Sequence, residues 1–184
     1  MIKHSDSLIM DLALFRDNVS DLLTETICAA FIIEEQPLQV INMSTKLTAK
    51  VSLLVGHQVI PSKTQIMVKV LLLNENQIIN IPKNDEIITI KDTGEIINNE
   101  LFMEMDDTGR LSANFQNLEI KLKGNEINQK FGLIFLINVK LEDALDMNLW
   151  RISLPFLISA KHQHLSRAWA SITWFNTFAD LVNF

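Results

Sequence analysis

The stretch LPFLISAKHQHLSRAWASITWF, residues Leu154–Phe175, decides how this chain folds. Its first part is a continuous apolar run after Pro155, which is typical of a core strand. Ser166 then precedes a periodic apolar segment with two tryptophans, in the way that an N-cap precedes a helix. A strand therefore leads into a cationic, histidine-bearing turn at Lys161, and a helix follows it. A turn held between two regular elements is a favourable place for recognition residues.

Many short strands are predicted on the N-terminal side of this stretch. Residues 46–55 and 65–73 alternate between apolar and polar side chains, which is typical of half-buried antiparallel strands. Further strands are predicted at residues 27–36, 86–90, 101–105, 110–122, 129–141, 148–153 and 156–160. In the strand at 110–122, one face is predicted to carry Leu111, Ala113, Phe115, Asn117 and Glu119. Turn signals between the strands favour an all-β sandwich or barrel.

Two helices are predicted to flank these strands. Residues 6–26 place apolar side chains at spacings of four and three, at Leu8, Leu12, Phe15, Val19 and Leu22. This stripe fits either a coiled-coil seam or a helix packed on its own domain, and the pattern alone supports both interpretations. The second helix, at residues 166–182, is apolar on two faces and is expected to lie between two bodies.

Composition limits the classes of protein to consider. The chain is 48% hydrophobic, enough for a sizeable core, and its single cysteine, Cys28, excludes an intramolecular disulfide and fits a reduced setting. No signal peptide or long apolar run is evident, so no membrane span is predicted. The net charge of −6 argues against simple DNA binding, but residues 110–170 hold eight basic and five acidic side chains.

No pattern in the sequence predicts an enzyme. The chain lacks G-x-S-x-G and H-E-x-x-H frames and a glycine-rich phosphate loop, so we expect no cofactor and no small-molecule substrate. His162 and His164 stand two apart, as metal ligands can do. A zinc site needs three or four ligands, however, and Cys28 is far away in sequence. An exposed polar turn is therefore favoured over a metal site.

Three motifs carry a resemblance to a known family. Leu154-Pro155, followed after twelve residues by AWASITWFN, resembles the junction between the DNA-binding domain and the linker domain of STAT proteins, the signal transducers and activators of transcription. The stretch GRLSANFQNLEIKL, Gly109–Leu122, resembles a strand of that domain, and FIIEEQPLQV, Phe31–Val40, resembles its entry. The insect branch is the most similar.

The resemblance implies a fold, a function and a set of partners. It implies a mainly β, immunoglobulin-like barrel or sandwich related to that of p53. Residues 1–27 would be the end of a coiled-coil helix, 28–162 the DNA-binding domain, and 163–184 the first linker helix. The implied function is sequence-specific binding of double-stranded DNA by a signal-dependent transcription factor of the JAK-STAT pathway, in cytoplasm and nucleus. Other STAT chains or coiled-coil partners are further expected partners, and no membrane is expected.

The resemblance also implies three DNA-facing loops. The first places Asn42 where many members have lysine, and the second places Asn128, Gln129 and Lys130 where the family has Thr-Glu-Glu. The third follows the strand after Pro155 and places Lys161 where the family has asparagine, with His162 beside it. Added positive charge at two of these positions favours attraction to DNA phosphates over the reading of bases.

Two departures from the family keep an alternative open. The sequence has no tyrosine and ends at Phe184. We therefore expect neither the phosphotyrosine switch of the family nor its SH2 domain. We therefore expect a truncated STAT-like chain. The alternative is a non-enzymatic interaction module, a STAT-like regulator or decoy that does not bind DNA productively.

Overall fold

The computed structural model describes residues 2–42, 45–60, 64–81, 91–122, 129–141, 146–159 and 165–178. The chain begins with a long helix, α1 (Ile2–Ala30), and passes directly into the first strand, β1 (Phe31–Glu35). Residues 27–30 were predicted as strand, and this prediction is wrong. Ile27 is fully buried at the end of α1, because the last turn of the helix reaches the core of the β domain.

The remaining elements are mostly strands. The strands that follow are β2 (Val40–Asn42), β3 (Leu47–Leu53), β4 (Met67–Asn74), β5 (Gly94–Ile97), β6 (Glu100–Phe102), β7 (Glu104–Met105), β8 (Leu111–Leu122), β9 (Lys130–Lys140), β10 (Asp146–Ile152) and β11 (Phe156–Ser159). The helices that follow are α2 (Gly56–Val59), α3 (Glu75–Ile79) and α4 (Leu165–Phe178). The short helices α2 and α3 and the strands β2 and β5 were not predicted. The strand predicted at 86–90 lies outside the described residues.

The strands form two sheets that enclose one core. The first sheet has the order β1-β3-β8-β5, with β7 also paired to β8. The second has the order β2-β11-β9-β4-β6, with β10 also paired to β9. The described pairs are antiparallel except that β11 runs parallel to β2. The prediction of a mainly β, immunoglobulin-like sandwich or barrel with flanking helices is confirmed.

Alternating side chains from the two sheets fill the core. In β9 the inward positions hold fully or nearly fully buried residues, namely Phe131, Leu133, Phe135, Ile137 and Val139. The rings of Phe115 in the first sheet and Phe135 in the second lie 6.0 Å apart between their centroids. Burying a side chain of this size contributes about 1.5–3 kcal/mol, so this layer holds the two sheets together.

A β-bulge changes which face of β8 is buried. Leu47 pairs with Leu118 and Ala49 pairs with Phe115, so β8 has one more residue than β3 in this interval. The prediction that Asn117 and Glu119 continue the face of Phe115 is therefore wrong. Leu118 is buried in place of Asn117, because the extra residue shifts the alternation by one position.

Helix α4 packs on the second sheet through one of its two apolar faces. Ile172 is 1% exposed and packs with Val40 of β2 and Leu157 of β11. On another side of the helix, Trp174 is 68% exposed and its ring lies 4.4 Å from that of Phe178. Helix α4 thus covers the edge of the second sheet formed by β2 and β11, and its Trp174 side is exposed to solvent.

Candidate nucleic-acid interface

Three strands of the second sheet bring distant segments of the chain to one end of the domain. The parallel pairing sets Leu157 opposite Val40 and Ser159 opposite Asn42, so β2 and β11 end side by side. The antiparallel pairing of β11 with β9 sets Leu157 opposite Lys130, so β9 begins beside them. We call this end, formed by the last residues of β2 and β11 and the first of β9, the loop end.

The loop end gathers the described members of the predicted site. Asn42 is half-buried, and its carbonyl oxygen accepts a hydrogen bond of 2.8 Å from the Thr45 amide. Gln129 is exposed and directly precedes β9. Lys130 is the first residue of that strand. The other three predicted residues, Asn128, Lys161 and His162, lie outside the described residues.

Lys46 is a cation of this region that the sequence-based prediction of the site missed. It is exposed and stands just before β3, after the short connection from Asn42. Its Nζ donates a hydrogen bond of 3.4 Å to Oδ1 of Asn117, a residue of the bulge in β8. The alternation of residues 46–55 predicts that Lys46 lies on the polar face of its strand, and this pattern could have identified it as an exposed cation.

Lys130 directs its ammonium group toward two helices. Its Nζ lies 2.7 Å from Oε1 of Glu75 in α3 and 3.5 Å from the centroid of the Phe175 ring in α4. The Lys130 side chain is 27% exposed. It therefore takes part in an ion pair and a cation–π contact, in addition to its position at the loop end.

A capping box fixes the position of Glu75. Asn74 is the N-cap of α3, its Oδ1 accepts from the Gln77 amide at 3.0 Å, and its own amide donates to Oε1 of Gln77 at 3.0 Å. The Nε2 of Gln77 also donates to the Lys91 carbonyl at 2.8 Å. The spacing Asn-x-x-Gln is the sequence signal that would have revealed this helix.

Several cations away from the loop end are held in ion pairs. Lys69 at the start of β4 lies 3.4 Å from Glu100, and Lys140 at the end of β9 lies 3.7 Å from Asp146. These pairs neutralise positive charge at the opposite end of the second sheet.

A second group of charges joins β1, β3 and the start of β8. Glu34 lies 2.5 Å from Lys50 and 3.1 Å from Arg110. The hydrogen bond from Lys50 is the main reason that the pKa of Glu34 is lowered. The pKa of Asp106 is lowered from 3.8 to about 2, chiefly by the hydrogen bond from the Thr108 hydroxyl. These groups are paired with one another and serve the structure of the first sheet.

The residues that the structure describes also bear on metal binding and membrane insertion. Among them no group of three or more His, Cys, Asp or Glu side chains is arranged to hold a metal ion. None of the helices in the described ranges is long and apolar enough to cross a membrane.

Comparison with known proteins decides the family. The model of the STAT protein DNA-binding domain matches residues 35–159, which include all the strands from β2 to β11. The chain belongs to the STAT family. The matched region ends at Ser159, the last residue of β11, so the STAT match contains all three strand termini that form the loop end.

Two insect proteins are among the relatives. The signal transducer and transcription activator of Drosophila melanogaster is 28% identical over 180 residues, which cover 90% of this chain and 24% of that protein. The protein of the same name from Anopheles gambiae is 29% identical over 184 residues, which cover 95% of this chain and 25% of that protein. The predicted similarity to insect STATs is confirmed. The chain spans about a quarter of the length of these relatives.

Proposed function

We propose that this chain binds double-stranded DNA through the loop end, as the DNA-binding domain of a signal-dependent transcription factor. The observation that supports the proposal most is the meeting of β2, β11 and β9 at one end of a domain that belongs to the STAT family. On this proposal the chain acts in cytoplasm and nucleus, without enzymatic activity or cofactor. Other STAT chains are its proposed protein partners.

The proposed contacts combine described residues with residues of the adjoining loops. Gln129 is exposed at the start of β9, and Asn42 ends β2. Lys46 adds an exposed cation next to them. The remaining proposed contacts, on sequence grounds, are Asn128, Lys130, Lys161 and His162. A few cations neutralise few phosphates, so we expect a monomer to bind weakly and with strong salt dependence.

The proposed division of the chain follows the same reasoning. Residues 28–162 form the proposed DNA-binding domain, residues 1–27 the end of a coiled-coil helix and residues 163–184 the first linker helix. The family match at 35–159 supports the middle unit. Helix α1 continues to Ala30, so its last turn would be shared between the first two units.

A binding measurement with matched duplexes tests the proposal. Fluorescence anisotropy with a palindromic TTC(N)GAA-type duplex and a scrambled duplex of the same composition should show weak binding to both that falls as salt rises. The substitution Lys161→Glu should weaken both, because it replaces a cation with an anion. Absence of binding to either duplex at low salt would contradict the proposed function.

A second candidate function is a protein-interaction module. Helix α1 exposes a series of large apolar side chains, including Met10, Leu14, Phe15 and Leu22, each more than 60% exposed. Contiguous apolar surface of this kind favours association with another chain. Sedimentation velocity over a range of concentrations tests it: self-association that Leu14→Glu and Phe15→Glu together abolish supports this function, and a monomer at all concentrations argues against it.

A further inference from the structure

One ammonium group joins three separate segments beside the loop end. Lys130 begins β9 and pairs through its backbone with Leu157 of β11. Its Nζ lies 2.7 Å from Oε1 of Glu75 in α3 and 3.5 Å from the ring centroid of Phe175 in α4. The positive charge at this position is therefore already engaged within the domain.

The backbone position of Glu75, whose carboxylate pairs with Lys130, is fixed by the start of α3. Glu75 is the first residue of α3, directly after the N-cap Asn74, and the capping box with Gln77 holds this turn. The hydrogen bond from Gln77 to the Lys91 carbonyl ties the same turn to the segment before β5. The Glu75 side chain is 42% exposed, so it faces both Lys130 and solvent.

A DNA phosphate at Lys130 would meet this carboxylate. Glu75 neutralises the ammonium at short range and repels a phosphate that approaches the same cation. Partly exposed ion pairs are weak, so a phosphate can displace the carboxylate at a cost in affinity. The flexible stem of lysine allows its ammonium to change partner without movement of the backbone.

Space for this exchange exists next to the pair. A cleft of about 500 Å³ lies between the start of β9 and α4 and is lined by Glu75, Lys130, Leu157, Arg167, Ala168, Ser171 and Ile172. Arg167 in the first turn of α4 is exposed and adds a second cation to its wall. An ammonium released from Glu75 would therefore remain in a basic part of the surface.

We propose that Glu75 is an intramolecular competitor of DNA phosphate and sets how strongly Lys130 attracts DNA. The inference rests on the proposed function, that the loop end binds DNA. While the Glu75–Lys130 pair is closed on the Phe175 ring, the start of β9 contributes little charge to binding. When the pair opens, Lys130 supplies one further phosphate contact.

The chain provides a matched control for the test. Glu75→Gln removes the carboxylate and keeps the size of the side chain. Glu100→Gln removes an equally exposed carboxylate, 46% against 42%, which is also paired with a lysine but lies at the other end of β4. Both substitutions change the net charge by the same amount. A general effect of net charge would therefore change DNA binding equally in the two variants.

The salt dependence of DNA binding is the main measurement. Glu75→Gln should steepen the slope of log K against log salt by about 0.9, the value for one added phosphate contact, and Glu100→Gln should leave it unchanged. Between 50 and 200 mM salt the Glu75 variant should lose about threefold more affinity than the wild type. Equal slopes for the two variants would overturn the proposal.

A double substitution assigns the effect to Lys130. The slope of Glu75→Gln with Lys130→Gln should equal the slope of Lys130→Gln alone, because no ammonium remains to be released. A steepening by Glu75→Gln that persists without Lys130 would mean that another cation is responsible, and the proposal would fail.

A measurement without DNA separates this proposal from the proposed function. Acylation of lysine amines, followed by mass spectrometry, should modify Lys130 faster in Glu75→Gln than in the wild type or in Glu100→Gln. Unchanged labelling of Lys130 in all three chains overturns the competition. Failure of every variant to bind duplex DNA at low salt, with faster labelling of Lys130, instead overturns the proposed function and leaves the internal ion pair established.

Discussion

At the scale of single residues, Asp106 organises the turn between β7 and β8. Its Oδ1 accepts from the Thr108 amide at 2.9 Å and from the Arg110 amide at 3.0 Å, and its Oδ2 lies 3.2 Å from Nε of Arg110. Gly109 in the same turn has φ of 80°, a conformation that suits glycine. One carboxylate thus satisfies the polar groups of a turn that leads into the longest strand of the first sheet.

The stability of the protein should depend on the ionisation of Asp106 in acid. Its pKa in the folded chain is about 2 against an ordinary value of 3.8, so its contribution is full above about pH 4 and is lost as the pH falls through about 2. Asp106→Asn should therefore be less stable than the wild type at pH 7 and should lose less stability between pH 4 and pH 2.

Urea unfolding at several pH values measures this dependence. Asp107→Asn removes the same charge from the neighbouring position and serves as the control. A difference between wild type and Asp106→Asn that stays constant from pH 7 to pH 2 would show that ionisation of Asp106 does not stabilise the fold.

Ser153 satisfies a buried amide at the end of β10. It is 5% exposed, and its Oγ accepts a hydrogen bond of 3.0 Å from the Leu133 amide. Ser153→Ala leaves this amide without a partner and should lower the free energy of unfolding by about 1–3 kcal/mol. Ser112→Ala, at a half-buried position of β8, is the matched control in urea unfolding, and equal effects of the two substitutions would contradict the prediction.

The sequence predicts the burial of some residues but not the long-range contacts of others. The alternation of residues 65–73 predicts that Val68 and Val70 share one face of a strand, opposite Met67 and Lys69, and both valines are fully buried. It did not reveal that Lys130 meets Glu75, because the two residues are far apart in sequence and each carries an ordinary surface charge. A pair of this kind depends on the packing of α3 beside β9, which a single sequence does not specify.

At the scale of elements, α4 depends on a small apolar contact with the second sheet. Ile172 is its one fully buried side chain among the described residues and packs with Val40 and Leu157. Ile172→Ala should therefore release α4 locally, with a smaller effect on the main core, because its cluster is separate from the core cluster of the sandwich.

Hydrogen exchange with mass spectrometry measures this local release. Peptides from α4, β2 and β11 should exchange faster in Ile172→Ala, while peptides from β3 and β8 should be unchanged. Trp174→Ala, at a side chain that is 68% exposed, is the control and should have little effect. Faster exchange throughout both sheets would mean that α4 is part of the global folding unit.

The type of most elements could be predicted from sequence, but their details could not. Alternation predicted β3 and β4, and the apolar run predicted β11. The bulge in β8 was not predicted. One extra residue before Leu118 moves Leu118 and Ile120 onto the buried face, and simple alternation from Phe115 does not show this shift. Helix α3 was not predicted from apolar periodicity because its five residues are too few to show a helical period.

At the scale of the whole molecule, Lys46 near the loop end and Lys69 at the opposite end of the second sheet have different partners. Lys46 is exposed near the loop end, whereas Lys69 at the opposite end is paired with Glu100. Lys46→Gln should reduce the salt dependence of DNA binding by about one phosphate contact, and Lys69→Gln should leave it nearly unchanged. Salt-titrated anisotropy compares the two, and equal slopes would place DNA elsewhere on the surface.

The family could be predicted because short motifs are local. The spacing from Pro155 to Trp169 and the stretch after Gly109 needed no knowledge of packing to be recognised. The position of Asn42 at the same end of the sheet as the start of β9 depends on strand order, which a single sequence does not specify.

The parallel pairing of β2 with β11 also bears on how the chain is made. During synthesis the N-terminal strands leave the ribosome first, and in the described structure β2 pairs with β11 alone. The segment Val40–Asn42 therefore has no sheet partner until residues near Ser159 have emerged. Closing so long a loop is also entropically costly. The surface proposed to recognise DNA is thus completed only after residues near Ser159 have emerged, when most of the sandwich that supports it can already have formed.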